Sequence, residues 1–222
     1  MAKHTIYKLY AELDNYKPKM WRVFEIDSKI TLAKLGYILM TLFEMKAEHL
    51  FAFKMIPYEK VEVRAEFISE DSCFVENDIV FDVTTVRVKD LITERTKNIK
   101  FMYDFGDGWE FTIRLDEIQR GIEVCLKDYP RAIDGEGFGI IENCGGFDGL
   151  EMLALAFKTK GDGYEEYAEW LGMDDLDLTT FDKDDINFRL KKLPRIFSDI
   201  YEYDCQPTRA SLAILEREYL KN

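Results

Sequence analysis

Carboxylates crowd one short run of this sequence, Tyr103-Asp104-Phe105-Gly106-Asp107-Gly108-Trp109-Glu110-Phe111. Two residues elsewhere add to it: His49, which opens an apolar run, and Glu142, inside a glycine-rich stretch. Carboxylate oxygens are hard donors that suit Mg²⁺, Mn²⁺ or Ca²⁺. An imidazole can act as a base, a ligand or a buried hydrogen-bond partner. Asp104, Asp107 and Glu110 are therefore the candidate metal ligands, and a divalent cation is the candidate cofactor. The candidate binding residues are His49, Asp104, Asp107, Trp109, Glu110 and Glu142. For His49 the more ordinary role is structural. The chain shows no recognisable nucleophile triad and no cofactor loop, so no catalytic residue is assigned and enzyme activity is left open.

Periodicity places the run on a β-hairpin. Ile99, Phe101, Tyr103 and Phe105 alternate with other residues before the glycines, and Trp109, Phe111, Ile113 and Leu115 alternate after them. A three-residue loop from Gly106 to Gly108, with Gly108 left-handed, would set Phe105 opposite Trp109 and keep both apolar rows on one face. In that register Asp104 lies opposite Glu110. Opposed like charges cost up to about 1 kcal/mol, so a compensating Arg, Lys, metal ion or basic ligand is expected. His49 is one candidate for that cation.

The same run resembles the hallmark of the plasmid pRiA4b ORF-3-like family, Tyr-Asp-Phe-Gly-Asp-x-Trp-Glu. Further resemblances follow in the family's order: Lys17-Pro18-Lys19-Met20-Trp21-Arg22, Thr31-Leu32-Ala33-Lys34-Leu35, His49-Leu50-Phe51-Ala52-Phe53, Glu142-Asn143-Cys144-Gly145-Gly146 and Asn187-Phe188-Arg189-Leu190. Together they span roughly residues 4 to 195. Where the family has Pro-Pro-Glu-Asp, this chain has Ile140-Ile141-Glu142-Asn143, which weakens any role for a second carboxylate there. The resemblance implies an uncharacterised binding or interaction module associated with mobile elements.

Composition narrows the classes. The chain has 222 residues, 47% hydrophobic and 14% aromatic, enough for a sizeable core. Its formal net charge of −13 repels phosphate and anionic membranes. A nucleic-acid or membrane partner is therefore not expected; the partner would be a protein or a small ligand. Cys73, Cys125, Cys144 and Cys205 form no C-x-x-C pair and read as reduced, buried thiols in the cytoplasm.

Along the chain, residues 5–13 and Trp21–Ile26 read as a strand pair, with Trp21 and Val23 on one face and the tryptophan more often core than surface. Residues 31–46 read as a helix capped by Thr31. Strands follow at 49–55, 61–67 and 80–88, with an exposed acidic loop at 70–78 and a helical turn at 89–94. Residues 121–149 read as a glycine-rich loop without regular period. Helices cover 150–157, 164–171, a third from Asp182 through Phe197, and a last from 208 to 221. An EF-hand is excluded near Asp174, Asp175 and Asp177, because the loop glycine is missing and Ile186 stands where the bidentate Glu belongs.

The expected fold is α+β: a mixed, mainly antiparallel sheet with a β-grasp-like N-terminal part and a helical C-terminal part. One domain would span 1–195, with its sheet part at about 1–120, the loop at 121–149 and helices at 150–197. A one-helix extension would follow at 198–222. Three functions are compatible with this pattern. A binding module comes first, a metal-dependent enzyme such as a hydrolase second, and a DNA-transaction accessory third.

Overall fold

The structure, a computed structural model, describes residues 2–55, 63–67 and 79–215. Eight strands form one sheet in the order β5-β4-β3-β6-β7-β1-β2-β8. Strands β1 (Lys3–Leu13) and β2 (Trp21–Asp27) make the opening hairpin. Helix α1 (Leu32–Leu42) follows, then β3 (Phe51–Met55), β4 (Val63–Glu66) and β5 (Ile79–Asp82). After a helical turn α2 (Val88–Leu91) come β6 (Asn98–Tyr103), β7 (Trp109–Glu123) and β8 (Arg131–Glu136). Among the described residues only β4 and β5 pair in parallel; β1 pairs antiparallel with β7 in the middle of the sheet. Helices α3 (Gly146–Thr159), α4 (Tyr164–Leu171), α5 (Lys183–Leu190), α6 (Leu193–Tyr201) and α7 (Arg209–Leu215) follow among the described residues. The fold is α+β, as the alternating and helical periods require.

Helix α1 is buried at every residue except the exposed Lys34, the pattern of a helix enclosed in a core rather than laid on a surface. Thr31 caps it through its hydroxyl, which accepts from Lys34 N at 3.2 Å. At Gly36 a Cβ would stand 2.5 Å from the Phe51 ring, so the helix meets the sheet only because that position has no side chain. The helix stops at Leu42, short of the expected residue 46. Its last carbonyls are taken elsewhere: Leu42 O accepts from Arg22 Nε at 2.9 Å, and Phe43 O from Ile140 N at 3.0 Å.

Arg22 is the surprise of the opening hairpin. The core face of β2 carries Arg22, Phe24 and Ile26, while Trp21 is half-buried, stacked on Tyr10 and bonded to Glu136. The guanidinium has no exposure and donates to five carbonyls: Leu42, Trp21, Glu136, Gly137 and Phe138, at 2.6 to 2.9 Å. The rings of Phe43 and Phe181 lie 4.9 and 4.3 Å from it. Burial pulls its pKa down to about 9, so it still carries its charge at neutral pH. Planar five-donor geometry is what permits this, and a lysine cannot reproduce it.

Three further expectations are corrected. The stretch read as a structureless glycine-rich loop contains β8, whose alternation is masked by Gly135 and by short polar neighbours. Its Ala132 backbone is gripped by the Asn187 side-chain amide, which accepts at 2.8 Å and donates at 3.0 Å. The single helix expected from Asp182 is two, α5 and α6, broken at Lys191-Lys192, with Pro194 in the first turn of α6 where its missing N–H costs nothing. Cys125 and Cys205 are exposed and Cys144 half-buried, because the first two sit in connections rather than in elements. Cys73, the acidic stretch at 70–78, residues 61 and 62 and the end of the last helix lie outside the described residues.

Replacing Arg22 by lysine leaves one ammonium to serve five buried carbonyls. Urea unfolding of Arg22→Lys should show a loss of about 3 kcal/mol or more. Lys19→Ala, which breaks an exposed pair with Glu12, should cost under about 1 kcal/mol.

Candidate functional site

Three connections meet at one end of the sheet: residues 43–50 after α1, the β6–β7 turn, and the segment from β8 to α3. The β6–β7 turn is longer than the expected three residues. Tyr103 pairs with Trp109, and Phe101 with Phe111. Loop residues 104–108 thus stand outside the ladder, and Phe105 is 51% exposed rather than in the apolar row. The register keeps every other apolar side chain on its expected face, because the shift is by two residues. Asp104 explains the wider turn. It is left-handed at φ 51°, and Gly108 is left-handed as expected. The Asp104 Oδ1 accepts from the backbone N–H of Gly106 at 2.9 Å and of Asp107 at 3.3 Å, the local self-bonding characteristic of Asp in turns.

The expected like-charge pair therefore does not form, and Glu110 faces Met102 instead. Its side chain is exposed, on the face opposite buried Trp109 and Phe111. The group that faces Asp104 is His49, with Nε2 at 3.5 Å from Oδ2.

Glu142 arrives from the other side. It is buried, and its Oε1 accepts from the Tyr103 hydroxyl at 2.6 Å and from Lys46 N at 2.8 Å. Its Oε2 stands 3.7 Å from His49 Nε2. Tyr103 in turn accepts from the backbone N–H groups of Glu48 at 3.1 Å and His49 at 3.4 Å. Burial raises the Glu142 carboxyl above its ordinary range, against the opposing pull of Tyr103, Lys46 and His49. Burial and the Glu142 charge together push the Tyr103 phenol upward. Tyr103 is thus a fixed donor, not an acid.

Donor and acceptor accounting fixes the histidine. The Glu48 carboxylate lies 3.2 Å from Asn143 Nδ2. A carboxylate accepts only, so the Asn143 amide nitrogen must face it and the Asn143 oxygen must face His49, at 3.2 Å from Nε2. His49 Nε2 is surrounded by acceptor oxygens from Asn143, Asp104 and Glu142. It carries the proton, and Nδ1 is left as the second ring nitrogen, with no partner among the described residues.

The remaining expected residues do not join this cluster. Trp109 is fully buried, with its ring centroid 5.1 Å from that of Phe147. Asp107 is half-buried at the loop tip, where its carbonyl supports α3: at Gly146, φ 70°, a Cβ would lie 2.9 Å from Asp107 O. Asp104, Asp107 and Glu110 therefore do not fit a metal ion as a set. Among the described residues no group of three or more His, Cys, Asp and Glu side chains is arranged to hold one. Cys144 is pushed up to about 12, by burial first and then by Asp107, so its thiol is inert.

Beside the cluster opens a cavity of about 360 Å³, lined by Tyr37, Met40, Glu48, His49, Phe51 and Phe67 with Tyr201 of α6 at its edge. The Tyr201 hydroxyl donates to Ala47 O, which ties α6 to the His49 connection.

Residues 5–189 match the family described as plasmid pRiA4b ORF-3-like protein. The chain belongs to this family. The uncharacterised protein y4hQ of Sinorhizobium fredii is 25% identical over 175 residues, covering 78% of this chain and 84% of that one. The crystal structure of a protein of unknown function, MM3350 from Methanosarcina mazei Go1, superposes with a TM-score of 0.71 at 25% identity. That likeness covers 82% of this chain and 97% of the other. The solved structure shares this chain's fold.

Within this family framework the Asn143 departure falls on the cluster itself. Asn143, Tyr103 and Glu48 were the residues that sequence reasoning missed. Tyr103 stood in the motif but read as one more apolar-row residue, and Glu48 adjoined His49 without any pattern to mark it.

Protonation of Glu142 sets a pH dependence. A carboxyl whose folded pKa is raised stabilises fully below its ordinary value of 4.5 and loses that contribution as pH climbs through the folded value. Glu142→Gln keeps an oxygen for Tyr103 and Lys46 but does not titrate. In chemical unfolding, wild type minus Glu142→Gln should be more favourable to wild type at about pH 4.5 than at about pH 8. The reverse order would mean that the hydrogen bonds to Glu142 outweigh its burial.

Proposed function

We propose that the chain is a binding module of the cytoplasm whose ligand, a small molecule or a side chain of a partner protein, enters the cavity beside His49. One observation carries this reading. An apolar cavity of ligand size is lined by an imidazole whose Nε2 bonds to Asn143 and lies 3.5 and 3.7 Å from Asp104 and Glu142, while its Nδ1 has no partner among the described residues. Apolar walls with a few convergent polar groups are the usual form of a ligand site. A histidine oriented from behind in this way offers a directional contact rather than a merely structural one. The family's mobile-element association is consistent with such a role and adds no chemistry to it.

A divalent-metal hydrolase draws support from one place, the approach of His49, Asp104 and Glu142. Their oxygens stand 3.5 and 3.7 Å from the imidazole nitrogen, and Tyr103 and Lys46 already occupy Glu142 Oε1. A DNA accessory role is opposed by the net charge of −13.

A fragment library screened by NMR tests the binding reading. Binders should shift the methyl signals of Met40 and Ala47 together with the His49 ring, and His49→Phe should weaken polar binders by about tenfold while sparing purely apolar ones. Binders that shift signals elsewhere and leave these untouched would contradict the assignment. Mg²⁺ or Mn²⁺ moving the same signals, with loss in Asp104→Asn, would favour the hydrolase.

A further inference from the structure

The walls of the cavity have a specific composition. Tyr37 and Tyr201 lie nearly parallel, with centroids 6.2 Å apart and an interplanar angle of 23°. Phe51 stands across Tyr37 at 80°, and Phe67 across Phe51 at 79°, with centroids 6.0 and 5.3 Å apart. Tyr37 and Phe51 back the wall with 0% and 3% exposure, whereas Tyr201 is 48% exposed and Phe67 half-buried, so these last two are the rings open to a ligand. Faces carry the negative side of the aromatic quadrupole and attract cations.

Charge at the rim has the same sign. Among the described lining residues Glu48 is the carboxylate and none is Lys or Arg. Behind His49 stand Asp104 and Glu142. The chain as a whole carries −13, which draws cations toward it and repels anions. A phosphate or carboxylate ligand would enter against that field. A bare metal ion would find aromatic carbon where it needs oxygen.

We propose that this cavity takes an organic ammonium ion, an amine nitrogen bearing apolar substituents, with its charge met by the aromatic rings of Phe67 and Tyr201 and by Glu48 at the rim. The proposal rests on the binding reading and names its ligand class. The apolar substituents fill the volume, and the cation selects the site over a merely greasy one.

Choline is the probe, compared with its neutral tert-butyl isostere in which carbon replaces nitrogen. Calorimetry on the full chain gives the affinities, and the Met40 and Ala47 methyl signals locate the binding. Choline should bind roughly tenfold tighter than the isostere, the scale of a partly desolvated cation–π contact. Raising the salt concentration should narrow that gap, since the rim contribution is screened. Tyr201→Leu and Glu48→Gln, each checked for an unchanged melting profile, should weaken choline more than the isostere. Equal or tighter binding of the isostere would overturn the ammonium assignment while leaving a binding cavity in place. If neither probe nor any neutral fragment moves the cavity signals, the assignment and the binding reading fail together.

Discussion

A single buried charge holds this architecture in register. Arg22 gathers carbonyls from the end of α1, from β2 itself and from the segment that leaves β8. Leu42, Gly137 and Phe138 lie at or beyond the ends of α1 and β8, where carbonyls lack regular partners, while Trp21 and Glu136 pair with each other at the end of the β2–β8 ladder. Desolvating a guanidinium is costly, and the cost is offset only because all five of its N–H groups are used. Removing the charge would leave both the acceptors and the packing between Phe43 and Phe181 without support. The arginine therefore acts as the fastener between the sheet's β2–β8 side and the helix that the sheet encloses.

The cluster around His49 inherits its geometry from that fastener. Once Gly137 and Phe138 are pinned to Arg22, Ile140 bonds to Phe43 O and the chain continues directly beneath Tyr103. Glu142 and Asn143 then arrive against His49 from below, while Asp104 meets it from the hairpin. Local backbone cost is concentrated here: Glu44, Ala47, Asp104 and Asn143 all have positive φ. Asp and Asn tolerate that region through their own side-chain hydrogen bonds; Glu44 does so while its carboxylate is paired with buried Arg189. Strain held by surrounding contacts is commoner at sites than elsewhere. Here it places three acceptor oxygens around one nitrogen.

Much of this was legible from residue pattern, and the failures have physical causes. The hairpins, α1 with its Thr31 cap and the α+β class follow from periods of two and near four, which burial enforces. The turn of the second hairpin was misjudged because Asp104 competes with the ladder for the loop N–H groups, an effect invisible to alternation. Arg22 was passed over in favour of Trp21, since average burial tendencies rank the indole inside and the guanidinium outside. Strand β8 was hidden by its glycine and by short polar residues. The pairing of His49 with Asp104 was anticipated as charge compensation, whereas Glu110 was expected beside them and points away, a direct consequence of the two-residue shift. Nothing in the sequence alone could place Asn143 or the cavity walls, because both depend on segments brought together across most of the chain.

The claim on which the site depends is that Asn143, Asp104 and Glu142 together hold the proton of His49 on Nε2. Nitrogen-15 NMR of the imidazole measures this directly, through long-range correlations to the ring protons read on the neutral-imidazole plateau of a pH series. The account predicts one tautomer, with Nε2 protonated and Nδ1 at the shift of a bare acceptor nitrogen. A ring protonated on Nδ1, or shifts averaged as in free histidine, would show that the acceptors do not hold the imidazole and would remove the basis for a binding site beside it.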